Sequence, residues 1–353
     1  MTGDHNFTSR IVLAVGITTL AIFLSLLLWY AADVLLLAFA GILLAIFLRS
    51  LSDWVSEITP LSGGWSLGVV VVGLISILTI GIWLLAPGVA DQIDELQKKL
   101  PQSVRQLERH VESYEWGRKA LAQVPNANEL VPDKADVLAR VTGVFSTTFG
   151  AIANFFIIIF IGLYVAAEPR LYSDGLIRLV PLNRRQRARE VLDEVGSTLR
   201  WWLIGKVASM IVVGVSTVVG LWLLDIPLAL TLGLLAALLT FIPNVGPILS
   251  VVPAMLLALM QSPMQALYVA LLYLGIQTVE SYFLTPLMQK RTVSLPPALT
   301  IFTQVLFGVM VGSLGFVLAT PLTAAAIVMV KMLYIQDALK DSIETDSSQK
   351  KST

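Results

Sequence analysis

Glu280 is the residue on which chemistry inside this chain would turn. It follows the apolar run Ala266–Gln277, and an ionisable side chain at membrane depth costs roughly 2.5–3.5 kcal/mol on insertion scales, so its presence needs a reason. Gln277 stands three residues earlier, which puts both polar groups on one face of a helix. A carboxylate beside an amide can bind a proton, a monovalent cation or a hydroxylated solute. The alternative is a glutamate near the membrane surface, snorkelling or paired with Lys290 or Arg291.

The second chemical feature belongs to the backbone. Pro243-Asn244-Val245-Gly246-Pro247 interrupts an otherwise apolar stretch, and two prolines and a glycine release carbonyls and amides that lipid cannot satisfy. Such a turn is either a plain connection between two helices at the surface or the broken end of a discontinuous helix lining a site, with the Asn244 amide as a further ligand. Further irregularities are Pro286, Pro296-Pro297, the series Gly308, Gly312 and Gly315, and Pro321. Gly308 and Gly312 make a small-residue face of the kind that packs helices closely. Thr300 and Gln304, four residues apart, give their short segment a polar edge.

The elements that must position these groups are membrane helices. Of 353 residues, 56% are hydrophobic and only 14% charged, with a mean hydropathy of +0.80. Lipid rather than water must solvate much of the surface. Net charge is zero, which removes any global electrostatic case for a nucleic-acid partner. Cysteine is absent and the two histidines, His5 and His110, lie in polar surroundings, so disulfides, thiol catalysis, zinc sites and a serine triad are not expected. The chain therefore reads as a non-enzyme without cofactor or metal. No phosphate-binding Gly-x-x-x-x-Gly-Lys-Ser/Thr motif is present to power transport by nucleotide hydrolysis.

A helix needs about 20 apolar residues to span the hydrocarbon. Runs that meet or approach this lie at 11–29, 33–48, 65–86, 148–167, 207–224, 227–242, 248–260, 264–283, 298–311 and 313–333. The pairs 227–242 with 248–260 and 298–311 with 313–333 are each either two spans or one re-entrant hairpin. The connector 168–206 holds eight basic residues, Lys206 among them, which marks it as cytoplasmic and places both termini on its side. Organisation follows: 1–87 amino-terminal transmembrane helices, 88–147 an extracytoplasmic amphipathic helical insert, 148–206 a transmembrane helix and basic amphipathic linker. The transport core is then 207–335, and 336–353 a polar cytoplasmic tail.

Two stripes at spacings of three and four stand out. Ile93, Leu96, Leu100, Val104, Leu107, Val111 and Tyr114 form one in the insert, suited to packing on the protein's own external helices or on another subunit. Leu192, Val195, Leu199 and Trp202 form the other beneath the basic run Arg184–Arg189, suited to an interfacial anchor or a coupling linker.

In ordered combination, Phe241 to Pro253, Gln277-Thr278-Val279-Glu280, Thr285-Pro286, Ser294 to Pro297, the glycine series and Thr320-Pro321 resemble the autoinducer-2 exporter family of PerM-like permeases. The resemblance implies an all-α polytopic bundle of about eight spans in a bacterial inner membrane. It implies export of a small polar signalling solute, with sodium/proton antiport as an alternative and a non-transporting scaffold as a third. Residue by residue, Pro243, Gly246 and Pro247 match the family turn, Glu280 its acidic position, and Pro286 and Pro297 its following prolines. Ser281 stands where many members carry Asn. Expected partners are the solute or a cation or proton, membrane lipid, and copies of the chain itself in a homo-oligomer.

Overall fold

The computed structural model describes residues 4–61, 64–77, 79–80, 83, 134–284, 286 and 295–339. Among these every regular element is helical. Residues 88–133, which hold the stripe from Ile93 to Tyr114, lie outside them, as do Lys290, Arg291 and the tail from Lys340 onward.

Helix α1 runs unbroken from Asp4 to Ile58. The apolar runs 11–29 and 33–48 are thus one helix of 55 residues, not two antiparallel spans. Nothing between Trp29 and Val34 breaks a helix: the linking residues Tyr30, Ala31, Ala32 and Asp33 include neither glycine nor proline. After a turn, α2 (Gly64–Ile77) folds back along α1. Ser52 and Ser66 hydroxyls share a hydrogen bond of 2.8 Å across the hairpin, and Leu67 and Val70 close on Ala45 and Leu48.

Helix α3 (Lys134–Ala167) crosses residue 147 without interruption and runs parallel to α1. Gly41 lies against Ile161, and Gly162 against Leu44. Helix α3 ends beside Arg49 and Ser50 of α1, where the chain turns by 87° into α4 (Pro169–Arg178).

Helix α5 (Arg185–Leu223) is the spine of the remainder. Its first half carries the stripe Leu192, Val195, Leu199 and Trp202, of which the last three pack inward on Leu36 and Leu43 of α1 and on Leu318 and Ala325, while Leu192 is half-buried beside Ile177 and Leu333. The stripe is protein core; Trp202 is only 7% exposed, so it is not an anchor in the headgroup layer. Apolar faces from two other helices, with Phe241, cover it.

At the far end of α5 the chain reverses through Asp225 and Leu228, both with positive φ, into α6 (Ala229–Thr240). Helix α6 is antiparallel to α5: Gly214 faces Ala237, and Gly233 faces Val218. At 12 residues, about 18 Å, α6 is too short to cross a bilayer. It turns at 241–244 into α7 (Val245–Gln261), which returns to the starting end. Gln261 there donates to the Asp225 carbonyl at 3.1 Å and Gln265 to that of Leu224 at 3.2 Å. The pair α6–α7 is therefore a re-entrant hairpin, with a core of Leu221, Leu232, Leu257 and Val269 at its open end.

Helix α8 (Pro263–Val279), capped by the Ser262 hydroxyl, runs back beside it and ends in a π turn, Glu280–Leu284. Helix α9 (Pro297–Met329) contains Gly312 at φ 75° and ψ −155°, a conformation essentially closed to other residues. A side-chain carbon at Gly308 would sit 3.1 Å from the Phe316 ring, and one at Gly315 would fall on the Phe307 carbonyl oxygen. Residues eight apart on a straight helix are about 12 Å apart. The chain therefore folds back at Gly312, making a second hairpin of limbs 297–311 and 313–329. Its glycines are consumed by its own packing rather than offered to another helix.

The long limb continues to Gln336, where Arg187 at the start of α5 clasps it. Arg187 bonds Asp337 at 2.9 and 3.0 Å, Gln336 at 3.0 Å and the Met332 carbonyl at 3.1 Å. Thus the second hairpin opens at the basic end of α5 and the first at the opposite end.

Candidate functional site

The tip of the first hairpin meets the short limb of the second beside α5. From the facing pairs Gly214–Ala237 and Val218–Gly233, two turns back along α5 and two forward along α6 bring Lys206 level with the turn at 241–245. Trp202, one turn before Lys206, packs edge-on against Phe241 with ring centres 5.8 Å apart. Val311 and Leu314, flanking Gly312, reach the same cluster. The hairpins are bonded to each other: the Gln304 amide donates to the Pro243 carbonyl at 3.2 Å. Gln304 is 1% exposed, and its side-chain oxygen has no hydrogen-bond partner among the described residues. Thr320, 3% exposed on the long limb, likewise has an unpartnered hydroxyl oxygen.

Beside this junction lies a buried ion pair. Lys206 Nζ stands 4.0 Å from Glu280 Oε1, with side chains 7% and 11% exposed. Two charges withdrawn from water cost several kcal/mol each, which their attraction repays only in good geometry. A contact of 4.0 Å is long for a charge-assisted bond. Glu280 is positioned at the point where α8 gives way to the π turn, a helix irregularity common at functional positions.

The groups singled out from the sequence fare differently. Glu280, Gln304, Pro243 and Gly246 are drawn into one region. Gly246 is there by necessity, since a side chain would collide with the Leu239 carbonyl oxygen. Pro247 opens α7 just behind, and its carbonyl accepts from Ser250 at 2.9 Å. Asn244 caps α7 at φ 66° but is exposed, with no side-chain capping bond. Gln277 is half-buried and donates to Ser281 at 3.4 Å, away from the pair. Pro286 and Pro297 are exposed, and Pro321 is buried within the long limb. Glu280 finds its cation in Lys206, a residue counted from the sequence only as connector charge.

This arrangement can hold a proton, a cation or a polar solute between an exchangeable ion pair and freed backbone and amide oxygens. No group of three or more potential metal ligands occurs among the described residues.

By length and hydropathy, four described helical stretches qualify as membrane spans, with 297–336 counted as one despite its reversal at Gly312, or five if the α3–α4 bend is counted as one. The chain is a multi-pass helical membrane protein. A family model for "AI-2E family transporter" matches residues 17–335. Among curated relatives, "Putative transport protein YueF" of Bacillus subtilis is 23% identical over 72% of this chain and 71% of its own length. "AI-2 transport protein TqsA" of Escherichia coli is 24% identical over 76% of this chain and 78% of its own. "Putative transport protein YhhT" of the same organism is 24% identical over 83% of each.

Proposed function

The chain belongs to the AI-2E transporter family, and on that premise we propose that it exports a small polar solute of the autoinducer-2 type, coupled to an ion through Glu280. The carrying observation is the bond between two opposed hairpins beside the buried Lys206–Glu280 pair. Discontinuous helices that meet inside a membrane present backbone dipoles to a solute, and small movements of either tip expose the site to one side at a time. Glu280 exchanges its partner, holding Lys206 in one state and a proton in the other. The same exchange supports the second reading, sodium/proton antiport without an organic solute. The membrane is the bacterial inner membrane, with the Arg187 end and the carboxy terminus on the cytoplasmic side. Self-association, whose sequence basis now rests on the stripe outside the described residues, belongs to the same proposal.

The deciding experiment is flux by purified protein in sealed vesicles, with labelled autoinducer-2 and with proton or sodium gradients imposed separately. Solute movement that follows the proton gradient and is lost in Glu280→Gln supports export. Sodium movement alone establishes the antiporter. Absence of any flux from well-folded protein overturns transport and leaves the scaffold.

A further inference from the structure

A cleft with an apolar wall and a charged rim lies where α1, α3, α4 and α5 meet. It encloses about 540 Å³ and is lined by Arg49, Ser50, Asp53, Pro169, Arg200 and Trp201, among others. We propose that this cleft holds the phosphate of an anionic phospholipid, pinning the joint between α1–α3 and the helix that carries Lys206.

Charge comes first. Asp53 is shared by both arginines, with Arg49 at 3.3 Å on one carboxylate oxygen and Arg200 at 3.5 Å on the other. Among the lining residues, two guanidiniums against one carboxylate leave one positive charge, which matches a phosphodiester monoanion. Neither guanidinium has another partner among the described residues, so each keeps N–H donors for a phosphate, whose geometry suits the arginine fork. Ser50 supplies an independent observation: it is 6% exposed, lines the cleft, and its hydroxyl oxygen has no hydrogen-bond partner among the described residues. Helix α4 begins at the cleft with Pro169, and Glu168 makes no side-chain capping bond there.

Level favours lipid over a dissolved ion. The apolar run of α1 ends at Arg49, that of α3 ends at Ala167 before the 87° bend, and α5 carries no charge beyond Arg200 except Lys206. Three apolar boundaries at one height mark the headgroup layer. Helix α4 lies across it with Leu171, Leu176 and Leu179 exposed, and Trp201 lines the cleft wall. Arg200 is six residues, about 9 Å along the axis, from Lys206. A headgroup gripping Arg200 and Arg49 together therefore restrains the helix that presents the ion pair.

The test uses full-length protein in mixed micelles of phosphatidylglycerol and phosphatidylcholine, with retained lipid weighed by native mass spectrometry. Wild type is expected to retain phosphatidylglycerol preferentially. Arg49→Gln with Arg200→Gln should lower that preference roughly tenfold, the effect of losing about 1.4 kcal/mol, and Ser50→Ala by less. Arg200→Lys, which keeps charge but loses the fork, should fall between and carries the test if the double variant does not fold. Arg184→Gln, altering a basic residue outside the cleft, should leave the preference intact. Equal loss in Arg184→Gln and the double variant would reduce the effect to general surface charge and overturn the site. Displacement of the lipid by inorganic phosphate, with phosphate binding equally in phosphatidylcholine alone, would overturn the lipid assignment in favour of a free anion.

Discussion

Lys206 and Glu280 hide opposite charges where neither could stay alone, so the two substitutions should not add. Lys206→Met removes the cation beside the buried glutamate and is expected to cost about 3–5 kcal/mol, the usual consequence of breaking a buried pair from one side. Lys206→Met with Glu280→Leu removes both charges and should recover much of that loss. Thermal unfolding of the two single variants, the double variant and wild type in one detergent measures the coupling. Additive effects would mean the pair at 4.0 Å does not interact. Glu280→Gln alone keeps shape and hydrogen bonding but cannot titrate, so flux should lose its pH dependence while expression holds. Normal flux at every pH would return Glu280 to a structural part. Glu280 was legible because it stands alone after an apolar run. Lys206 was not, because it closes a connector rich in basic residues and was credited to that connector's charge. The signal existed: after Leu192, Val195, Leu199 and Trp202, the next position at that spacing is 206, on the face that turns inward.

Each hairpin depends on one glycine that tolerates no side chain, for different reasons. At Gly312 the barrier is the backbone conformation: the space beside it is open, yet its dihedrals are closed to alanine by about 1–3 kcal/mol. At Gly246 the barrier is contact with the Leu239 carbonyl, so Gly246→Ala must spread α6 from α7 or move the tip. Both variants are expected to fold less stably, and Gly246→Ala should lose flux beyond its loss of stability because the displaced tip carries the Pro243 carbonyl. Gln304→Leu separates linkage from folding. It removes the bond between hairpins and a buried unpartnered acceptor together, so stability should change by no more than about 1 kcal/mol while flux falls. Unchanged flux in folded Gln304→Leu protein would show that the hairpins work independently. The broken pairs were readable from proline and glycine placement, but not whether each was two spans or one hairpin. Hydropathy is the same for both; the reversal at Gly312 and the shortness of α6 are matters of backbone angle and length.

At the scale of the whole chain, α1 changes the map that hydropathy suggested. Two crossings between residues 11 and 48 would return the amino terminus to the side of the basic connector. Helix α1 instead runs parallel to α3, ends beside Arg200, and contains no reversal, so its beginning lies at the opposite end from Arg187 and Asp337. The two apolar runs could be counted from the sequence; their fusion could not, because a helix-compatible linker of four residues says nothing about direction. Absence of cysteine makes the consequence direct to measure, since any single introduced cysteine reports alone. With the basic connector cytoplasmic, residues 178 and 345 should react with a membrane-impermeant maleimide only from the cytoplasmic face. Residue 225, at the open end of the first hairpin, and residue 120, in the polar insert, should react only from outside. Residue 5 discriminates between the two maps: α1 as one continuous helix places it outside with residue 225, whereas two antiparallel spans place it inside with residue 345. Labelling of residue 5 from the cytoplasm, with the other four as stated, would mean that α1 bends back near Asp33 in the membrane and that both termini share a side.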